Sequence, residues 1–155
     1  MRAAVTLLLP LACLGVSGAL HAGELSGPGR FCGYSPIIDL LPGERVITGK
    51  AGIHAGEFVW QGAFGKLEVK GIGWAGRPTG IGAAGRTAKG LEKSEPRRER
   101  GGYVVALWNG RNAAAYFFSP RRLTRAQLTA IDRVDLYQEG EEPEGCKLRT
   151  AFSWE

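Results

Sequence analysis

Short β-prone runs, some uniformly apolar and some alternating with a period of two, are separated by turn residues along this chain, and the one the rest is organised around lies in its second half. Tyr103 to Phe118 reads YVVALWNGRNAAAYFF, two β-prone runs around Asn109-Gly110. Asn-Gly tolerates positive φ at both positions and is a strong short-range hairpin signal. Glu57 to Gln61 reads as a strand with Phe58 and Trp60 on one face, and Gly62 to Gly65 as a turn. Lys66 to Trp74 alternates again, with Leu67 and Val69 on one side and Lys66, Glu68 and Lys70 on the other. Ile72 and Trp74 fall on the polar side of that run. Either a bulge at Gly71 or Gly73 resets the face, or Trp74 is exposed at a sheet end.

Arg45 to Thr48 and Val134 to Gln138 read as short strands, and Cys146 to Trp154 as a longer one with Cys146, Leu148, Thr150, Phe152 and Trp154 on a common face. Two stretches suggest helix. Ser35-Pro36 followed by Ile37 to Leu41 and then Pro42-Gly43 predicts one or two helical turns. The stronger signal is Thr124-Arg125-Ala126-Gln127, a capping box with Leu123 and Leu128 in staple positions, which predicts a helix over about 125–133. The fold expected is mainly β: one antiparallel sheet of six or seven strands, curled or closed into a small barrel, with this one short helix.

The N-terminal residues 1–22 break the alternation. Arg2 precedes an uncharged apolar run from Ala3 to Ala19, and small residues follow, the pattern of an export signal cleaved near Ala19 or Ala22. Lipidation at Cys13 is the weaker reading, because Pro10 and the apolar residues after Cys13 fit it badly. The remaining residues, 23–155, form one β-rich domain. Removal of the leader leaves Cys32 and Cys146, and an even pair in an exported chain reads as a disulfide. Export also sets the compartment: periplasm or exterior, with no transmembrane segment after processing.

Composition changes the picture in two places. Gly is unusually frequent, at 24 of 155 residues, which favours turns and bulges over long helices. The formal net charge is +5, so an electrostatically chosen partner is anionic. The cations concentrate in a stretch with no period, residues 75–102, read as a flexible loop. It carries Arg77, Arg86, Lys89, Lys93, Arg97, Arg98 and Arg100 against Glu92, Glu95 and Glu99. As a functional element it would bind anionic envelope material through Arg97, Arg98 and Arg100, with Arg86 and Lys89 beside them. Trp74 and Trp108, at strand ends, are the candidate aromatic surface.

Other chemistry is poorly supported. Gly71 to Gly76 and Gly80 to Gly85 both match G-x-G-x-x-G, but Arg77-Pro78 and Arg86-Thr87 follow rather than an apolar helix. The two are a small duplication, GIGWAGR and GIGAAGR, and neither a nucleotide nor a nucleic acid is expected as partner. His54 has no second ligand at metal spacing, and Glu139, Glu141, Glu142 and Glu144 lack the spacing of a calcium loop. No nucleophile elbow is present, so no catalytic residue, metal or cofactor is assigned. The function expected is that of an exported, non-catalytic binding or interaction protein of the cell envelope. The alternatives are an inhibitor-like module acting on an envelope enzyme, or a hydrolase with an unrecognised site. An intact mass of the protein from its native cells should show loss of about twenty N-terminal residues, and a gain of about 2 Da on reduction; a full-length chain with free thiols would remove the export reading.

Overall fold

A computed structural model describes residues 23–99 and 101–150. The chain runs β1 (Glu24–Ser26), β2 (Gly29–Cys32), β3 (Pro36–Leu40), β4 (Arg45–Ala51), β5 (Ala55–Gly62) and β6 (Gly65–Ile72). It continues through β7 (Glu92–Lys93), β8 (Arg97–Glu99), β9 (Gly102–Trp108), β10 (Ala114–Ser119), α1 (Arg125–Ile131), β11 (Asp135–Leu136) and β12 (Cys146–Arg149). Among the described residues the fold is mainly β with one helix, as the β-prone runs and the capping box predict.

The strands form two sheets rather than one, and no closed barrel. The larger has the order β1-β4-β5-β6-β10-β9-β7, with β8 also on β9; the smaller is β11-β3-β2-β12. All pairings are antiparallel except β2 with β12. The expected hairpin is present, Ala114 facing Trp108 and Ser119 facing Tyr103.

The second sheet exists because the stretch expected to be helical is a strand. Pro36–Leu40 alternates buried and less buried positions and holds the middle of the small sheet between β2 and β11. Ile37 and Ile38 are β-branched and suit that pleated site. The Ser35 hydroxyl caps no helix; it donates to the Ile72 carbonyl at 3.1 Å and the Tyr137 carbonyl at 3.4 Å. A start signal read locally is overridden by burial against the other sheet.

One face of the large sheet packs on the small sheet and on α1. Phe31, Ile38, Leu40, Val46, Phe58, Trp60, Leu67, Val69, Val105, Leu107, Phe117 and Ile131 form this core. Phe31 and Phe58 meet edge to face across the two sheets, with centroids 4.6 Å apart. Helix α1 begins as the capping box predicts: the Thr124 hydroxyl accepts from the Gln127 amide at 3.2 Å, and Gln127 accepts from the Thr124 amide at 2.9 Å. The Gln127 side chain then donates to the Lys66 carbonyl at 3.1 Å, tying the helix to β6. Cys32 and Cys146 form a disulfide between neighbouring strands, with Cα atoms 5.7 Å apart and a sequence separation of 114.

The sheets approach closely at Gly71. A Cβ there would overlap Pro36 Cδ and stand 3.1 Å from the Ser35 amide nitrogen, which is backbone and cannot swing aside. Gly71→Ala should therefore lower stability by roughly 1–3 kcal/mol in urea denaturation. Gly76→Ala, where no atom lies within 4 Å, should be neutral to within about 0.5 kcal/mol.

Candidate functional site

Residues 75–99, read from sequence as part of a flexible loop, are a strap bonded to the free edge of β9. Glu92 faces Trp108, Lys93 faces Leu107, and Arg97 to Glu99 face Val104 to Gly102. Between β7 and β8, Ser94 spans the gap: its amide donates to the Ala106 carbonyl at 3.0 Å, and its hydroxyl accepts from the Ala106 amide at 2.9 Å. The strap buries Pro78, Ile81, Thr87 and Leu91. Its sequence shows no period because every anchor is an isolated residue between turns.

Three of the strap's six cations brace it internally. Arg77 and Arg86 converge on the two oxygens of Glu92, at 3.5 and 3.4 Å, and Arg86 also donates to the Gly90 carbonyl at 2.7 Å. Arg97 pairs with Glu99 at 2.7 Å and donates to the Thr79 carbonyl. Lys89 stands exposed in a turn, and Arg98 is exposed on β8, one position along from Arg97 and so on the opposite side of the strand. Arg100 lies outside the described residues. The anion-binding set chosen from sequence is thus distributed rather than gathered. Lys93 faces away from solvent, and its ammonium meets Asp132 at 2.5 Å.

Glu99, the partner of Arg97, instead borders a groove of about 560 Å³ on the outer face of the large sheet, opposite the core. Alternation along four adjacent strands builds it. Val59 from β5, Ile72 from β6, Tyr116 and Phe118 from β10 and Val104 from β9 form its floor. Glu57 with Lys70, at 3.8 Å, and Glu68 with Lys66, at 3.3 Å, edge it. Tyr116 lies beside Lys70, and Phe118 beside Glu68, in the β6–β10 register. Each of its three carboxylates has a basic partner within 4 Å: Lys70 for Glu57, Lys66 for Glu68 and Arg97 for Glu99. Burial pushes the Tyr116 phenol up, Arg97 pulls it back, and Glu99 adds to the rise. Tyr116 and Phe118 belong to the hairpin signal; sequence alone marks them as strand residues but not as the floor of an open face.

A second polar cluster sits where the two sheets meet at one end. His54 Nδ1 lies 3.0 Å from both oxygens of Glu139, and the Tyr34 hydroxyl donates to the Ile53 carbonyl close by. A carboxylate on Nδ1 orients the imidazole and leaves Nε2 outward, the arrangement that supports a base. The Ser35 hydroxyl is not available to it, being fully buried and turned to two carbonyls. The Glu139–His54 pairing is invisible in sequence because 85 residues separate the two.

The candidate tryptophans differ. Trp108 is half-buried, its indole Nε1 enclosed, with the Arg77 guanidinium 5.5 Å from the ring centroid. Trp74 is 68% exposed at the end of β6, so no bulge resets its face.

The Tyr34 phenol is pushed up to about 12, first by burial and then by the Glu139 carboxylate. Tyr137 is raised in the same direction by burial. Below pH 10 both phenols are neutral in folded and unfolded chains; above it the unfolded phenols ionise first, so stability should fall as pH rises from about 10 to 12. Urea midpoints across that range should fall less steeply in Tyr34→Phe than in the native chain.

Comparison of the chain with known protein families, with curated proteins and with solved structures finds no match.

Proposed function

We propose that this chain is an exported, non-catalytic binding module that holds a saccharide chain of the envelope or exterior along the groove of its large sheet. The observation that carries the reading is the composition of that groove. An aromatic and aliphatic floor of Tyr116, Phe118, Val59 and Ile72 is bordered by side chains rich in donors and acceptors. Sugar rings offer apolar C–H faces to aromatic rings and hydroxyls to carboxylates, ammoniums and guanidiniums at the edges. The charge balance of Glu57, Glu68 and Glu99 against Lys70, Lys66 and Arg97 favours a ligand with many hydroxyls over one chosen by net charge. It shifts the weight of the reading from the strap's arginines to the sheet they border.

The fold supports this role mechanically. The floor residues stand on a continuous sheet whose other face is the core, so their positions are set before a ligand arrives. Export and the disulfide fit a module working outside the cytoplasm.

Calorimetric titration with neutral tetrasaccharides of glucose and of N-acetylglucosamine, and with a sulfated tetrasaccharide, tests the assignment. Binding of a neutral sugar should weaken at least tenfold in Tyr116→Ala and in Phe118→Ala, and change little between about 0.05 and 0.5 M salt. Binding restricted to the sulfated sugar, abolished by salt and indifferent to Tyr116→Ala, would return the function to Lys89 and Arg98.

A further inference from the structure

At the end of the large sheet, the β4–β5 turn, the exit of β6 and the β9–β10 hairpin come together, and two large apolar side chains stand in solvent there. Ile53 is 62% exposed and Trp74 68%. The β5–β6 register pairs Ala55 with Ile72. One step further the Gly73 amide donates to the His54 carbonyl at 2.9 Å, which brings the neighbouring Ile53 and Trp74 to the same end of the sheet. The Ala75 amide donates to the Asn112 carbonyl at 2.6 Å and draws the hairpin to the same rim.

Trp74 is the one non-glycine residue with positive φ among the described residues, at 52°. The left-handed region is unfavourable for a bulky side chain. Such strain is ordinarily retained where packing over-determines it or where it serves a contact. Here the indole gains little burial, so its use lies outside the chain. The backbone on either side is held by the Gly73 and Ala75 amides, and the pose is therefore fixed rather than sampled.

Cations ring this pair. Lys50, exposed at the end of β4, and Arg111, exposed on the hairpin, have no carboxylate within 4 Å among the described residues. Arg77 is also exposed and only half committed, 3.5 Å from a Glu92 that Arg86 shares. Glu139, close to Gly73, has His54 Nδ1 3.0 Å from its carboxylate. Gly76 and Gly110 have no atom within 4 Å of a Cβ position, so the rim projects outward.

We infer that this rim seats the protein on an anionic lipid surface, with Trp74 and Ile53 entering the headgroup layer and Lys50, Arg77 and Arg111 lying against lipid phosphates. An indole is amphipathic and suited to that layer, and neighbouring cations add attraction to anionic headgroups. A specific protein partner would need a complementary patch burying on the order of 1,000 Å². Two apolar side chains on convex turns do not supply one, whereas a fluid planar surface asks for no matching shape. This surface is separate from the groove and leaves it open.

Sedimentation of the full chain with vesicles of phosphatidylglycerol and phosphatidylcholine, against phosphatidylcholine alone, tests the inference. The protein should partition onto the anionic vesicles and be released by salt. Lys50→Gln and Arg111→Gln should each weaken partitioning about fivefold. Trp74→Gly should weaken it roughly tenfold while its melting temperature holds or rises, since glycine accepts positive φ without strain. Tyr116→Ala should leave partitioning unchanged, which separates this rim from the sugar groove. Absence of partitioning at low salt would overturn the inference, as would equal partitioning by Trp74→Gly or capture of a soluble protein by the rim with vesicles ignored.

Discussion

The small sheet can lie against the large one because position 71 has no side chain. Gly71 sits on the core face of β6, in line with Leu67 and Val69, and the ring of Pro36 occupies the space a Cβ would need. That contact sets the separation at which Phe31 meets Phe58 and at which Ser35 reaches the carbonyls of Ile72 and Tyr137. Interiors packed to this density do not yield to an added methyl group without moving backbone. The same contact fixes which face of the large sheet is used up by the core, and hence which face is left to form the groove.

Charge plays a different part from the one its sum suggests. A basic, aperiodic stretch is ordinarily solvated and free. In this chain Glu92 and Glu99 stand among the arginines and turn them into braces, while Ile81 and Leu91 give the strap an apolar underside. Individual surface ion pairs contribute little, on the order of 0–1 kcal/mol each; backbone bonds to β9 and the buried anchors hold the strap, and the charges decide only its local course. Within the strap only Lys89 and Arg98, among the described residues, are left without a carboxylate within 4 Å.

Legibility followed the range of the interaction. The capping box at Thr124 and Gln127, the Asn109-Gly110 hairpin and the alternation from Lys66 to Val69 are written within a few residues, and they stand as read. The pairing of Cys32 with Cys146 was legible through elimination, since only these two cysteines lie beyond the apolar N-terminal run that was read as a leader. Strand β3 was misread because Ser-Pro before an apolar run is a valid helix start, and only its partner strands decide otherwise. The groove was not legible at all. Tyr116, Phe118, Val59 and Glu57 are unremarkable strand residues until four strands are placed side by side, and His54 needs a partner 85 residues away.

The strap also settles the fate of β9. A strand at the margin of a sheet carries unmet amides and carbonyls that invite a second chain to add on. Here that row is taken by two short pieces, β7 and β8, with Pro96 between them, a residue that has no amide to offer. Arg98 and Glu99 crowd the outer side with charge. A newcomer strand meets an interrupted, kinked and charged border instead of a straight ladder, so the molecule is guarded on this side against stacking into ordered fibrils with its own copies.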